Sequence, residues 1–595
     1  MRKVILLVIL IVLPFQVWAS IENPQTVISM KAEVVQRSTI DLIGDIDFVE
    51  LNFSIPQEDE YQQIEFFEVS DLNGICKTEK CSYSFFYDKY GNKMLKIVWE
   101  KPQQNIKFEI KSIVAVKARK SLKQIKNPDF LLPTSLVQST DQEVADLASK
   151  AIGNDFEKVA FLSKWIYQNI RYDKIFSDIT ISAKDILRTK RGVCDEFSNL
   201  LVSFLRNLGY YSAVAVGYVY PGRIYEGEQF QPHGWTEVYT GNGIVADPTW
   251  TEAGYVDATH IKFGVFPDSN WIFGNMIARG DLSLKAILGK IETDIEILSF
   301  EEEPLISSSS SFLEKNVWKE YAVIKTDLSS DNCILTRINV KSCVDENGRE
   351  ILTKINEDDV VYFCGKTSYF SILEIPDNLK PQIRYNCTVN VLPYAGKQQF
   401  VPLTISFAIA DGVKLFTEKS VLTHGEKMTV NAPNSHIFTD FGDYGFNKMD
   451  IISPYHDFKV YAYKSGYLME SYIQVVSEKP FMINISSPDN VTLGESIPVL
   501  VNVKNLRDGE QTIDVMFMGE IIKDNIGGSK NYYFNFTPQN VDDNLIQVFV
   551  STLHYSASKS KMVEVIEKQG LLENIIRGFN KFFEWLYTVF KSIFK

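Results

Sequence analysis

Histidine and cysteine are scarce in this chain, at six and seven among 595 residues. Basic residues are in deficit too, with 61 Lys and Arg against 75 Asp and Glu, a net charge of −14. A chain of that sign lacks the positive footprint that a phosphate backbone demands, which excludes a nucleic-acid binder. Phosphate-loop, haem-attachment and zinc-ligand spacings are missing as well, so neither a metal nor a cofactor is expected. Between its two ends the chain has no apolar run of the roughly 20 residues that a bilayer requires. What is present suits a folded protein: hydrophobic residues make up 45% and charged residues 23%. Aromatics reach 13%, which favours sheets over helical bundles. At roughly 100–200 residues per domain, the length corresponds to three to five domains.

The N-terminus has the layout of a secretory signal peptide. Arg2 and Lys3 precede the apolar run Val4 to Leu13, Pro14 and Gln16 break it, and Val17-Trp18-Ala19 offers a cleavage site. An uncleaved anchor is the alternative reading, although the run is short for one. The body is therefore expected to be exported, extracellular or at the cell surface. The cysteines fit that compartment. Cys76 and Cys81 lie close together, Cys333, Cys343, Cys364 and Cys387 cluster and could form two bridges, and Cys194 is left over. Five N-x-S/T sequons, at Asn52, Asn386, Asn484, Asn490 and Asn535, agree with an exported surface.

Short alternating runs such as Ile64–Val69 and Met94–Trp99 predict a sandwich of strands at the start of the chain. Apolar residues then fall at helical spacing, for example Val159, Leu162, Trp165 and Ile166. Glu301-Glu302-Glu303-Pro304 and Ser307 to Ser311 read as an acidic, serine-rich linker, after which strands return. The expected organisation is a signal peptide (1–19), an N-terminal β-sandwich (20–125), a mixed core (126–290), a β-sandwich (300–400), a β-rich unit (401–479), an Ig-like sandwich (480–567) and a C-terminal helix (568–595). In that helix one polar stripe, including Glu573, Arg577, Lys581 and Glu584, faces an aromatic-rich remainder. Such lopsidedness predicts a helix lying in a membrane interface, or else docked on a protein surface.

The chemistry concentrates between residues 156 and 250. Cys194 precedes Phe197, Leu200, Leu201, Phe204, Leu205 and Leu208, an apolar face at helical spacing closed by Gly209. It therefore begins an amphipathic helix, with Gly192 expected to turn the backbone sharply before it. The helix dipole contributes only about 0.3–1 kcal/mol to a thiolate at that position, so a reactive thiol needs a base nearby. Asp195 and Glu196 should raise the thiol pKa. A small buried core residue is the plain alternative. Four of the histidines, His424, His436, His456 and His554, fall in expected sandwiches. His233 opens a strand, Thr240-Gly-Asn-Gly turns it, and Asp247 lies seven residues beyond Thr240, as His233 lies seven before. A hairpin of this kind brings the two close to opposite and onto one face. His260 has no acid at hairpin spacing and is the weaker candidate. Trp235 and Trp250 could shape a substrate groove, although aromatics in a sheet are more often core. Glu237 falls on the His233 face or in solvent.

Gly-Val-Cys194-Asp-Glu-Phe, His233-Gly-Trp-Thr-Glu-Val-Tyr and Ala-Asp247-Pro-Thr-Trp resemble the three signature blocks of the transglutaminase-like core. Trp165-Ile-Tyr-Gln-Asn-Ile-Arg-Tyr-Asp173 is similar to the helix preceding that family's active-site loop. The resemblance covers about residues 140–275. It implies a papain-like α+β fold, a cysteine-bearing helix on an antiparallel sheet, flanked here by β-sandwiches. It also carries the family's catalytic trio onto Cys194, His233 and Asp247. A thiolate paired with an imidazolium would attack a carboxamide and form a thioester. Water as acceptor gives a peptidase or amidase acting on a protein or peptide; a lysine amine gives a cross-linker of the cell envelope. A non-catalytic surface scaffold, whose sandwiches bind an envelope partner, is the third reading.

Overall fold

The computed structural model describes residues 21–566, apart from 103–104, 226, 228, 271–273, 282, 315, 318–319, 342–350, 357–358, 377–378, 380–383, 406–411, 455, 477–480, 507–509, 519, 540–544 and 553–555. The expected signal peptide and C-terminal helix thus lie outside the described residues. Among the described residues no helix is long and apolar enough to cross a membrane. The architecture is mostly β and multidomain, with the helices gathered in one small core.

The first unit contains strands β1 (Val27–Ile43), β2 (Ile46–Ser54), β3 (Gln62–Asp71), β4 (Gly74–Ile75), β5 (Cys81–Tyr87), β6 (Lys93–Glu100) and β7 (Ile106–Lys117). β1, β7, β3 and β4 form one sheet, while β2, β6 and β5 form the other. Strand alternation explains the packing: Val49, Leu51 and Phe53 of β2 and Leu95, Ile97 and Trp99 of β6 are buried.

The mixed core follows. α1 (Gln142–Ala148) is capped by Asp141, whose carboxylate accepts from the Glu143 N–H, and α2 (Asp155–Asn169) by an Asn154–Glu157 capping box. After β8 (Arg171–Tyr172) and α3 (Ala183–Thr189), β9 (Arg191–Gly192) leads into α4 (Cys194–Asn207). The expected face of α4, from Phe197 to Leu205, packs against Val159, Leu162 and Ile166 of α2. Gly209 ends the helix at a φ of 86°. An antiparallel sheet receives α4: β10 (Ser212–Val219), β11 (Gln231–Val238), β12 (Ile244–Asp247), β13 (Glu252–Ala253) and β14 (His260–Phe266), in the order β14-β10-β11-β12-β13.

The chain then returns to its first unit, which corrects the expected boundaries. β15 (Gly274–Gly280) pairs with β2, and both β16 (Lys285–Leu288) and β17 (Glu292–Glu302) pair with β1. The core is therefore an insertion in the N-terminal sandwich and does not extend to residue 290. The expected linker is also strand. In β17 Ile295, Ile297 and Phe300 face inward, so its acids occupy the outer side. In β18 (Ser307–Phe312) the serines form a ladder with Ser329 to Ile324, including a 2.9 Å contact between the Ser310 and Thr326 hydroxyls. Charge and serine content marked solvent exposure on one face rather than absence of structure.

β19 (Asn316–Val317) and the long β20 (Tyr321–Lys341) belong to the second sandwich, whose last strand, Gln399–Ile405, runs just past the expected limit of 400. Ala253 of β13 pairs with Leu335 of β20, so the core sheet continues into this sandwich. A third unit is built on a sheet from Phe416 to Val476, and a fourth packs sheets of three, four and two strands between Phe481 and Ile566. Cys76–Cys81 and Cys333–Cys364 are disulfides, and Cys387 is also disulfide-bonded. Cys343 lies outside the described residues. Cys194 is a buried free thiol.

Candidate active site

Two close approaches bring the site together. Gly217 of β10 pairs with His233 on one side and with Lys262 of β14 on the other, next to a register shift. A Cβ on Gly217 would stand 1.9 Å from the Ile261 carbonyl oxygen, so only glycine lets β14 lie this near. At Gly234 a Cβ would meet Asp195 Oδ1 at 3.0 Å, so the missing side chain makes room for the head of α4 against β11.

At that head, Cys194 is 9% exposed. Its sulfur accepts the Gly234 backbone N–H and its thiol faces Asp195 Oδ1 at 3.8 Å. Burial, with the charge of Asp195 next, pushes the thiol well above its ordinary pKa, and the Gly234 N–H opposes this. Gly192 does not act as expected. It has no positive φ; a Cβ there would meet the Glu196 Cβ at 2.6 Å. Glu196 uses that space to turn its carboxylate back onto the Val193 N–H at 3.0 Å, closing the first turn of the helix.

Asp247 Oδ2 accepts from His233 Nε2 at 2.7 Å, which leaves Nδ1 as the free ring nitrogen of His233. The hairpin register differs from the expected one. Its ladder pairs Thr236 with Ala246, so His233 reaches Asp247 diagonally rather than from directly opposite. Both still share a face, because their separation is even. Asp247 Oδ1 accepts the backbone N–H groups of Thr249 at 2.8 Å and Trp250 at 3.3 Å. Despite complete burial, His233 and then His260 hold the Asp247 carboxyl far below the usual range.

His260 is the residue that sequence reasoning undervalued. Its Nε2 lies 3.3 Å from Asp247 Oδ2 and its Nδ1 3.4 Å from Asp257 Oδ1. It reaches Asp247 from β14, on the far side of β10, a neighbour that local spacing does not reveal. Although burial alone would lower it, the Asp257 and Asp247 carboxylates push its pKa up to about 9. Behind it, burial and the facing Asp257 push the Glu252 carboxyl well above its ordinary range. Ligating atoms of Glu252, Asp257 and His260 lie within 4.8 Å of one another, the spacing at which a cation would also be held.

Both tryptophans are buried. Trp235 is 0% and Trp250 4% exposed. Trp250 stacks on His233 at 5.1 Å, and both indoles meet His260 edge-on, at 5.1 and 5.2 Å. They wall in the two imidazoles. Glu237 also lies outside the site, buried in an ion pair with Lys262 at 3.1 Å and accepting from the Tyr239 hydroxyl at 3.0 Å. Tyr172 stands beside the cysteine through the parallel register of β8 with β9, its ring 6.0 Å from Phe197.

Residues 142–254 match the family described as the transglutaminase-like superfamily, so this segment is a transglutaminase-like core. Among solved structures, a candidate cysteine protease from Cytophaga hutchinsonii is 19% identical, over 46% of this chain and 93% of that one, with a TM-score of 0.34. A bacterial ice-binding adhesin is 11% identical over 45% and 100% of the two chains, with a TM-score of 0.14. The eight N-terminal Ig domains of Down Syndrome Cell Adhesion Molecule are 9% identical over 60% and 56%, with a TM-score of 0.18. No curated protein matches the sequence.

Proposed function

We propose that this chain is an exported thiol enzyme that hydrolyses carboxamide bonds in proteins or peptides, with Cys194 as nucleophile, His233 as acid and base, and Asp247 positioning His233. The observation that carries the reading is the 2.7 Å hydrogen bond from His233 Nε2 to buried Asp247, beside a helix whose first residue is Cys194. That bond leaves the other nitrogen, Nδ1, for the proposed proton exchange with the thiol. Burial and Asp195 disfavour an isolated thiolate, so the thiolate forms only where His233 takes the proton.

In the reaction the thiolate adds to the carbonyl carbon. As the tetrahedral intermediate collapses, the C–N bond breaks, the amine leaves with the His233 proton, and a thioester on Cys194 remains. Water, deprotonated by His233, then cleaves the thioester and returns the acid product and the thiol–imidazole pair. The backbone N–H of Cys194, at the start of α4, is the proposed donor to the developing oxyanion. Export rests on the signal-like N-terminus and on the disulfides, which belong to an oxidising compartment.

The test is the rate of Cys194 alkylation by iodoacetamide against pH, in the wild type and in His233→Ala. A plateau well below the free-thiol pKa of about 8.5, lost in the variant, is expected. A rate rising only near that pKa in both proteins overturns the reading. Peptide assays with and without a lysine-type amine then separate hydrolysis from transfer; incorporation of the amine would make the enzyme a cross-linker.

A further inference from the structure

Asp247 serves two imidazoles. Its Oδ1 is taken by the Thr249 and Trp250 N–H groups, and its Oδ2 lies between His233 Nε2 at 2.7 Å and His260 Nε2 at 3.3 Å. The two rings stand 5.7 Å apart and nearly edge to face, with Trp235 and Trp250 closing the remaining sides. His260 is itself 0% exposed, and its Nδ1 faces Asp257 Oδ1 at 3.4 Å, an oxygen held in turn by the Thr259 N–H at 2.7 Å and hydroxyl at 2.6 Å. A buried imidazole with carboxylates on both nitrogens is costly to build unless it carries charge, and nothing in simple packing requires one here.

We propose that His260 is a positioning residue of the thiol enzyme, donating from Nε2 to Asp247 Oδ2 and thereby holding that carboxylate in the orientation His233 needs. The proposal rests on the reading of Cys194 and His233 as the reacting pair. It extends the site into a chain of five side chains, Cys194, His233, Asp247, His260 and Asp257. The chain crosses the sheet from α4 through β11 and β12 to β14. Two effects follow from the geometry. Asp247 Oδ2 is confined between two donors, so it cannot rotate away when His233 swings toward a leaving amine. The second donor also compensates the carboxylate in a fully buried place, beside the first from His233. The charged and titratable groups facing His260 are Asp247 and His233 from the hairpin, and Asp257 with Glu252 from the segment that follows it.

The test compares wild type, His260→Ala and His260→Gln, the last retaining an N–H donor without the charge. Iodoacetamide alkylation of Cys194 is followed against pH, and thermal melting reports on folding. The alanine variant is expected to lose about 10- to 100-fold of the low-pH alkylation rate, the scale of a small misplacement in an active site. Glutamine is expected to recover most of that loss. Equal rates in all three proteins would overturn the proposal. So would a glutamine variant as slow as the alanine variant at the same melting temperature, which would leave His260 a packing residue. The wild-type curve separates this from the parent reading: a wild type with no low-pH plateau defeats the thiol enzyme itself, whereas a plateau indifferent to His260 defeats only the positioning role.

Discussion

Gly217 and Ile261 approach so closely that a Cβ on the former would sit 1.9 Å from the carbonyl oxygen of the latter. The contact is backbone on β14, so no side chain can swing aside to relieve it. It sets how near β14 lies to β10, and β14 carries His260. Gly217→Ala should therefore push β14 outward and separate His260 from Asp247. A destabilisation of about 1–3 kcal/mol is expected, typical of overpacking, seen as a lower melting temperature. The low-pH alkylation rate of Cys194 should fall with it. Gly527→Ala, where a Cβ meets nothing within 4 Å, is the matched control and should leave both unchanged.

Asp195 acts on both partners of the proposed reacting pair. Its charge raises the Cys194 thiol, and it is itself drawn down by His233 against the effect of burial. Asp195→Asn removes a negative charge from each. The thiol limb of the alkylation profile should then move to lower pH. An unmoved thiol limb would show that the Asp195 charge does not reach Cys194.

Glu252 gives a stability prediction with a definite sign. Its carboxyl is raised by burial and by Asp257, so the protonated form belongs to the folded state. A raised acid stabilises fully below its unfolded pKa of about 4.3, and that contribution is lost as pH rises toward the folded value. Glu252→Gln keeps the shape and a donor while removing the titration. Its melting temperature should exceed the wild type's at pH 7 to 9, and the two should converge near pH 4. A variant less stable than the wild type throughout would mean that Glu252 is held as an anion, with a cation or donor beside it.

Local spacing made much of this protein readable. The face of α4 from Phe197 to Leu205, the stop at Gly209 and the strand starting near His233 follow from periodicity and turn residues, both properties of neighbouring positions. His233 and Asp247 could be brought together in thought because a hairpin is also local, although its register came out diagonal. The segments misread were those whose partners are distant. β15, β16 and β17 look like an extension of the core and an acidic linker, yet they pair with β2 and β1, more than two hundred residues earlier.

His260 shows the same division at the scale of a single side chain. From the sequence it has no acid at hairpin distance. Its contact with Asp247 exists only because Gly217 admits β14 beside β10. Likewise Trp235 and Trp250, which might as readily have lined a groove by residue type, are enclosed because β11, β12 and β14 close around them. By itself the sequence determined the helix with the thiol at its head and the hairpin that joins imidazole to carboxylate. The tertiary structure alone decided which strands lie side by side, and hence which buried charges meet, because sheet order is set by long-range packing that no local pattern encodes.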